Sequence, residues 1–254
     1  MASVERIPDP QRAKQAPPAH VVTPRNRPAR FDRIARLYRP MEYLSFGPML
    51  ERCRFDHLPA LADARRALVL GDGDGRFLAR LLAAAPRLSA DAVEASSAML
   101  HLLRRRVSLQ GDRERITTTC ADARIFTPHS TGYDLVVTHF FLDCLTESET
   151  DHLIARIRPH LVPGAQWLVS EFQIPAAGSL RKRLAGGVIS GLYAGFRLLT
   201  GLTVRQIPPW RALLTRHGFT PRAARARLGG LLVSELWEIA GRQPRLVLGP
   251  PTHQ

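Results

Sequence analysis

The feature that constrains this chain most is a five-residue loop, Gly71-Asp72-Gly73-Asp74-Gly75. It lies between the apolar run Ala67-Leu68-Val69-Leu70 and the helix-patterned stretch 76–85. Glycine at a strand-to-helix turn permits positive φ and lets backbone approach a ligand with no Cβ in the way. The spacing does not fit the dinucleotide fingerprint G-x-G-x-x-G. Counted from Gly71, the third glycine falls at Arg76; counted from Gly73, it falls at Leu78. A large side chain there would crowd a pyrophosphate-bearing helix. Asp72 and Asp74 would also repel a pyrophosphate, and they suit a ligand that carries positive charge.

Around this loop, short apolar runs alternate with longer helical patterns. Strands are expected at 67–70, at a run ending in 91–94, at the β-branched run 116–119, at 133–139 and at 166–172, with a turn at Pro163-Gly164. Helices are expected at 76–85, at 96–106, and after Thr146-Glu147-Ser148-Glu149, which has capping-box spacing. Strand–helix alternation of this kind gives a parallel sheet covered on both faces. Beyond the fifth strand the rhythm breaks. A helix begins at Pro208-Pro209 and ends at Gly218, and two strands, 220–228 and 231–239, flank Gly229-Gly230 as an antiparallel hairpin. The expected fold is α/β, a Rossmann-like, seven-stranded, mostly parallel sheet with helices on both faces, a C-terminal hairpin and a helical cover.

The chain divides into a basic tail (1–29), a single domain (30–240) with a helical insertion (178–217), and a C-terminal tail (241–254). The first segment is rich in Pro, Arg, Ala and Gln, with little to bury. Phe31, Ile34, Ala35 and Tyr38 then recur at helical spacing, and a second helical segment follows through 49–55. In the insertion, Leu184, Val188, Leu192, Phe196 and Leu199 share one helical face, flanked by Arg181, Lys182, Arg183 and Arg197. This stretch reads as an apolar lid, as a helix packed on the sheet, or as a peripheral membrane contact. Its uncharged core, 184–196, is too short to span a bilayer.

Glu94 ends the second strand about 20 residues past the glycine loop, where an acidic side chain can chelate a ribose diol. Asp122-Ala123 follows the third strand. His139 and Asp143, after the fourth, are candidate bases; they read equally as a strand-end polar residue and a helix cap.

In loop, strand order and these strand-end residues, the chain over roughly 31–240 resembles the class I methyltransferases that use S-adenosylmethionine (SAM). The resemblance implies cofactor contacts from Gly71, Asp72, Gly73, Asp74 and Gly75, from Glu94 and Ala95, from Asp122 and Ala123, and from Thr138, His139 and Phe140. Phe31-Asp32-Arg33-Ile34-Ala35, Tyr38, Ser45-Phe46-Gly47 and Glu171-Phe172 are similar to quinone-biosynthesis C-methyltransferases, which implies that Tyr38 lies over the cofactor. Three positions depart from the pattern: Val69 where an acid is usual, Arg39 after the tyrosine, and the segment Thr138-His139-Phe140-Phe141-Leu142-Asp143-Cys144-Leu145. That segment lines the methyl-transfer site in such proteins, so it points to a different acceptor. It contains neither an (Asn/Asp/Ser)-Pro-Pro-(Tyr/Phe) loop nor a paired-glutamate loop, which argues against base-amine and protein-arginine acceptors.

The net charge is +14 across 254 residues, almost all of it arginine, since only Lys14 and Lys182 are lysines. The arginines are spread along the chain, so nucleic acid is not the expected partner. The alternative is a SAM-binding or nucleic-acid-binding protein without methyl transfer. Cys53, Cys120 and Cys144 are odd in number and lack a CxxC pair, which suits a reducing cytoplasm and argues against a structural zinc site. The expected partner is a small apolar or aromatic acceptor, or a quinone or lipid-like one at a membrane surface. The sequence leaves the oligomeric state open.

Overall fold

The computed structural model describes residues 48–173 and 207–240. Tyr38, the basic tail, most of the insertion 178–217 and the C-terminal tail lie outside the described residues. The strands are β1 (Arg66–Leu70), β2 (Ser89–Glu94), β3 (Ile116–Cys120), β4 (Tyr133–His139), β5 (Leu161–Phe172), β6 (Phe219–Arg227) and β7 (Leu232–Ile239). The helices are α1 (Met49–Arg54), α2 (Arg76–Ala84), α3 (Ser97–Ser108), α4 (Glu147–Ile157) and α5 (Trp210–Arg216).

The seven strands form one sheet in the order β3-β2-β1-β4-β5-β7-β6. β1 to β5 pair in parallel; β7 runs antiparallel to both β5 and β6. The order reverses between β1 and β4, because the chain returns from the β3 edge to the middle of the sheet. At such a switch point the loops leaving the carboxyl ends of two neighbouring strands part in opposite directions and open a crevice. The glycine loop leaves β1 at that point.

Period-two alternation divides each strand between two cores. Leu68, Leu70, Val136, Trp167 and Val169 pack with α4 and α5. Ala67, Val69, Leu135, Val137 and Leu168 pack with Phe77, Leu78, Leu81 and Leu82 of α2 and with Leu103 and Val107 of α3. Local signals agree with this arrangement. Thr146 and Glu149 form the capping box that starts α4. Asp134 accepts the Arg65 and Arg66 N–H groups at 2.8 and 2.9 Å, fixing β4 beside β1.

Two expectations change. β5 starts earlier than residue 166. Pro163-Gly164 lies within it as an irregularity, with Gly164 at φ +79° and a register shift opposite Tyr133 and Leu135. The kink thus interrupts pairing without ending the strand. The β6–β7 connection is not a two-residue turn either. Leu228–Gly230 forms a 3-10 turn with all three residues at positive φ, so the link is four residues long.

Candidate functional site

Gly71, Gly73 and Gly75 all have positive φ, at +68°, +62° and +78°, but they need to be glycine for different reasons. A Cβ on Gly75 would lie 2.7 Å from Leu103 Cγ and 2.9 Å from Leu103 Cα, so this glycine lets α3 close against the start of α2. A Cβ on Gly71 would meet the Phe141 ring at 2.7 Å. A Cβ on Gly73 would meet nothing within 4 Å among the described residues. Packing within those residues therefore accounts for two of the glycines and not for the middle one.

Glu94 lies beside that glycine. One carboxylate oxygen accepts the Gly73 N–H at 3.1 Å and the other accepts the Ser96 N–H at 3.0 Å. Glu94 thus ties the loop after β1 to the end of β2 while buried at 8% exposure. Ser96 in turn caps α3 through Met99 N–H. Ala95, between them, is exposed.

Both loop aspartates are engaged by groups of this chain. Asp72 accepts the Leu78 N–H at 2.9 Å, capping α2 from three residues ahead of its N-cap glycine. Burial raises its carboxyl to about 7, against the pull of the helix N–H groups and the Arg54 charge. Asp74 is held by Arg76 Nε at 3.0 Å and Arg106 at 2.8 Å. Two guanidinium groups of this chain thus lie against the Asp74 carboxylate. Asp122 is similarly engaged, with both oxygens bonded to Arg124 at 2.5–2.9 Å. Burial works against its ionisation, but the Arg124 hydrogen bonds and charge outweigh it and hold the carboxyl below its usual range. Ala123 is buried and packs into the α4 core.

The end of β4 separates the remaining candidates by strand alternation. Thr138 faces α4, fully buried, with its hydroxyl accepting the Trp167 indole N–H at 3.1 Å. Its side chain serves packing. His139 points to the other face, edge-on to Phe77 at 4.3 Å. It is buried at 4% exposure, and neither ring nitrogen has a hydrogen-bond partner. Desolvation, helped by the Arg54 charge, keeps its pKa well below the usual imidazole value, so the ring is neutral at pH 7. Phe140 has φ +51°, a conformation that costs a non-glycine residue about 1–3 kcal/mol. Its ring packs against Phe172 at 5.0 Å. Asp143 sits in the 3-10 turn Leu142–Cys144, beside the Cys144 thiol rather than capping a helix. That turn packs with the α4 core, so the two candidate bases are on opposite faces of the sheet.

Two residues were given no site role in the sequence. Glu171 is fully buried at the end of β5. Its Oε1 accepts the Phe141 and Leu142 N–H groups at 3.0 and 2.7 Å, and its Oε2 has no partner. Burial, then the Asp143 charge, pushes its carboxyl well above the usual range. A carboxylate inside the apolar run 166–172 was the available signal. Arg54, the last residue of α1, is also buried, with its guanidinium carbon 5.3 Å from the Phe140 ring centroid. Nothing in the sequence distinguished it from the other arginines. Among the described residues, no cluster of His, Cys, Asp and Glu could hold a metal ion, and no helix is long and apolar enough to cross a membrane.

Comparison with known proteins agrees with this geometry. Residues 68–166 match the family described as Methyltransferase domain. No curated protein matches the chain by sequence. Among solved structures, the chain is similar to the mitomycin 7-O-methyltransferase MmcR, at 18% identity and TM-score 0.59, covering 83% of this chain and 60% of that one. It is also similar to the N,N-8-amino-8-demethyl-D-riboflavin dimethyltransferase RosA from Streptomyces davawensis (22% identity, TM-score 0.59, 84% and 62% covered). A third is an O-methyltransferase family protein from Burkholderia thailandensis (17% identity, TM-score 0.60, 84% and 59% covered). The chain spans about three-fifths of the length of these proteins, and at such identities the likeness shows the fold. The narrower likeness to quinone C-methyltransferases finds no support here. Strand order, glycine loop and the match of residues 68–166 to a methyltransferase domain agree with one another, and the fold is that of the methyltransferases to which the chain is similar.

Proposed function

We propose that the protein transfers a methyl group from SAM to a small apolar or aromatic acceptor, working in the reducing cytoplasm. The observation that carries this reading is the bare peptide of Gly73, at positive φ beside the Glu94 carboxylate, which packing within the described residues does not require. The donor set also fits the cofactor. Glu94 stands at the end of β2, where its carboxylate lies beside the Gly73 and Ser96 peptides. Gly73 offers close backbone approach, Ala95 lies exposed at the end of β2, and Asp122 and Ala123 follow β3.

Bound SAM supplies an electrophilic methyl on a positively charged sulfur. The contribution of the chain is to align a nucleophile with that methyl and to keep water out. His139 is suited to accept a proton from an acidic acceptor, because burial keeps it neutral and leaves both nitrogens unpaired. Phe140, Phe141 and Phe172 provide apolar walls next to it. Small-molecule acceptors are named for two of the structural relatives, a mitomycin and a riboflavin analogue, and an acceptor of that size suits this site.

Calorimetry with S-adenosylhomocysteine, the demethylated product, tests the cofactor. Transfer of labelled methyl from SAM into a size-fractionated cell extract tests the acceptor. Binding heat with label in the low-mass fraction is the expected result. Folded protein that gives no heat refutes the proposal, and label confined to protein or nucleic acid refutes the acceptor class.

A further inference from the structure

The two edges of the sheet are built differently. β6, at one edge, carries Pro221, Arg222 and Arg225 and shifts register with β7 between Pro221 and Ala223. Proline, charge and irregular pairing are devices that keep an edge strand from accepting another strand. β3, at the other edge, has none of them. Its sequence Ile116-Thr117-Thr118-Thr119-Cys120 is uncharged, begins with a β-branched run, and pairs with β2 residue for residue. The Ala121 N–H donates to the Glu94 carbonyl at 3.2 Å, so by alternation Thr117 and Thr119 also turn their peptide groups toward β2. The N–H and C=O groups of Thr118 and Cys120 therefore point away from the sheet.

Beside that edge lies a groove of about 500 Å³ between β3 and α3. Its lining includes Ile116 and Thr118 of the strand, Arg104 and Arg105 of the helix, and Arg113 from the connection, and it contains no carboxylate. All three arginines are exposed. Arg104 donates from Nε to the Thr118 hydroxyl at 2.6 Å and keeps its terminal nitrogens unpaired, while the guanidinium groups of Arg105 and Arg113 have no partner among the described residues. Cations without counter-ions and an unprotected strand edge thus share one side of the molecule.

We propose that the β3 edge accepts an extended acidic segment of another protein as an added strand. Such a strand lies about 4.8 Å from β3, and every second side chain, about 6.8 Å apart, faces the groove. Carboxylates at those positions meet guanidinium groups suited to bind them in pairs of hydrogen bonds. Charge excludes two nearer occupants. A second copy pairing β3 to β3 sets its own Arg104, Arg105 and Arg113 against these. The segments outside the described residues, 1–47, 174–206 and 241–254, are each net basic.

Fluorescence anisotropy on the full chain, with a labelled short peptide of alternating glutamate and valine, tests the proposal. Saturable binding that weakens as salt is raised is the expected result. It should be at least about tenfold tighter than that of an isomer with the glutamates and valines in two separate blocks. Arg105→Glu combined with Arg113→Glu should weaken the alternating peptide at least about tenfold. Thr118→Pro, which removes an outward N–H and leaves the β2 ladder its donors, should do the same. Thermal denaturation reports whether each variant is folded, and the exposed arginine pair decides the question should Thr118→Pro not fold. The proposal is overturned if the alternating peptide does not bind, if the two isomers bind alike, or if either folded variant binds as the wild type does. Tighter binding of an oligodeoxythymidine, lost in the arginine variant and unchanged in folded Thr118→Pro, also overturns it, in favour of a phosphate backbone.

Discussion

The two glycines that flank Asp74, Gly73 and Gly75, should respond to the same substitution differently. Alanine at either position must adopt positive φ, at about 1 kcal/mol. At Gly75 the new methyl also lies 2.7 Å from Leu103 Cγ and 2.9 Å from Leu103 Cα. The side-chain atom could rotate away, but the Cα belongs to the middle of α3 and moves only with the helix. Overpacking of this kind costs about 1–3 kcal/mol, so Gly75→Ala should lose about 2–4 kcal/mol. At roughly 2–4 °C per kcal/mol for a domain of this size, Tm should fall by about 5–15 °C. Gly73→Ala meets nothing within 4 Å among the described residues and should lose only the backbone cost, about 2–4 °C. Its methyl, however, projects into the space assigned to the cofactor. Gly73→Ala should therefore stay folded yet bind S-adenosylhomocysteine at least about tenfold more weakly. Thermal denaturation followed by calorimetry on both variants decides the matter. Equal Tm losses would invalidate the contact argument, and wild-type affinity in Gly73→Ala would show that the cofactor does not cross this glycine.

Three further outcomes follow from the same site. Glu94→Ala should weaken S-adenosylhomocysteine by about 1–3 kcal/mol, through loss of ribose contacts and release of the Gly73 and Ser96 N–H groups; an unaltered Kd rejects that role. Asp72 titrates near 7 when folded and at 3.8 as a free side chain, so the folded state holds its proton more tightly. Its contribution to stability is greatest below pH 3.8, declines as pH rises, and levels off above 7, a loss of about 4 kcal/mol at most. Asp72→Asn should lack that decline in urea denaturation measured across pH 4–8, and parallel profiles for the two proteins would contradict it. Glu171 follows the same sign, because its carboxyl is raised by burial. Glu171→Gln should keep the acceptor for Phe141 and Leu142 and hold its stability at pH 8. Glu171→Ala should lose about 2–5 kcal/mol by stranding two buried N–H groups. Equal stabilities for the two Glu171 variants would show that those bonds contribute little.

What could be read from the sequence follows the range over which each interaction acts. Strand alternation, the Thr146–Glu149 capping box and the glycine turn depend on neighbours within a few residues, so they appear in the linear pattern, and the element order followed from them. Glu94 was legible for a related reason, because a strand end and a glycine loop about 20 residues apart make one crossover unit. The fates of Asp72, Asp74 and Asp122 depended on competition. Each could face a ligand or a nearby cation or helix end, and the choice went to Leu78 N–H, to Arg106 from 32 residues away, and to Arg124. Arg54 and Glu171 mark the far limit of sequence reading. Arg54 acts on groups contributed by the loop after β1 and the end of β4, and Glu171 binds peptides 29 and 30 residues earlier in the chain. Their roles exist only once β4 and β5 are side by side.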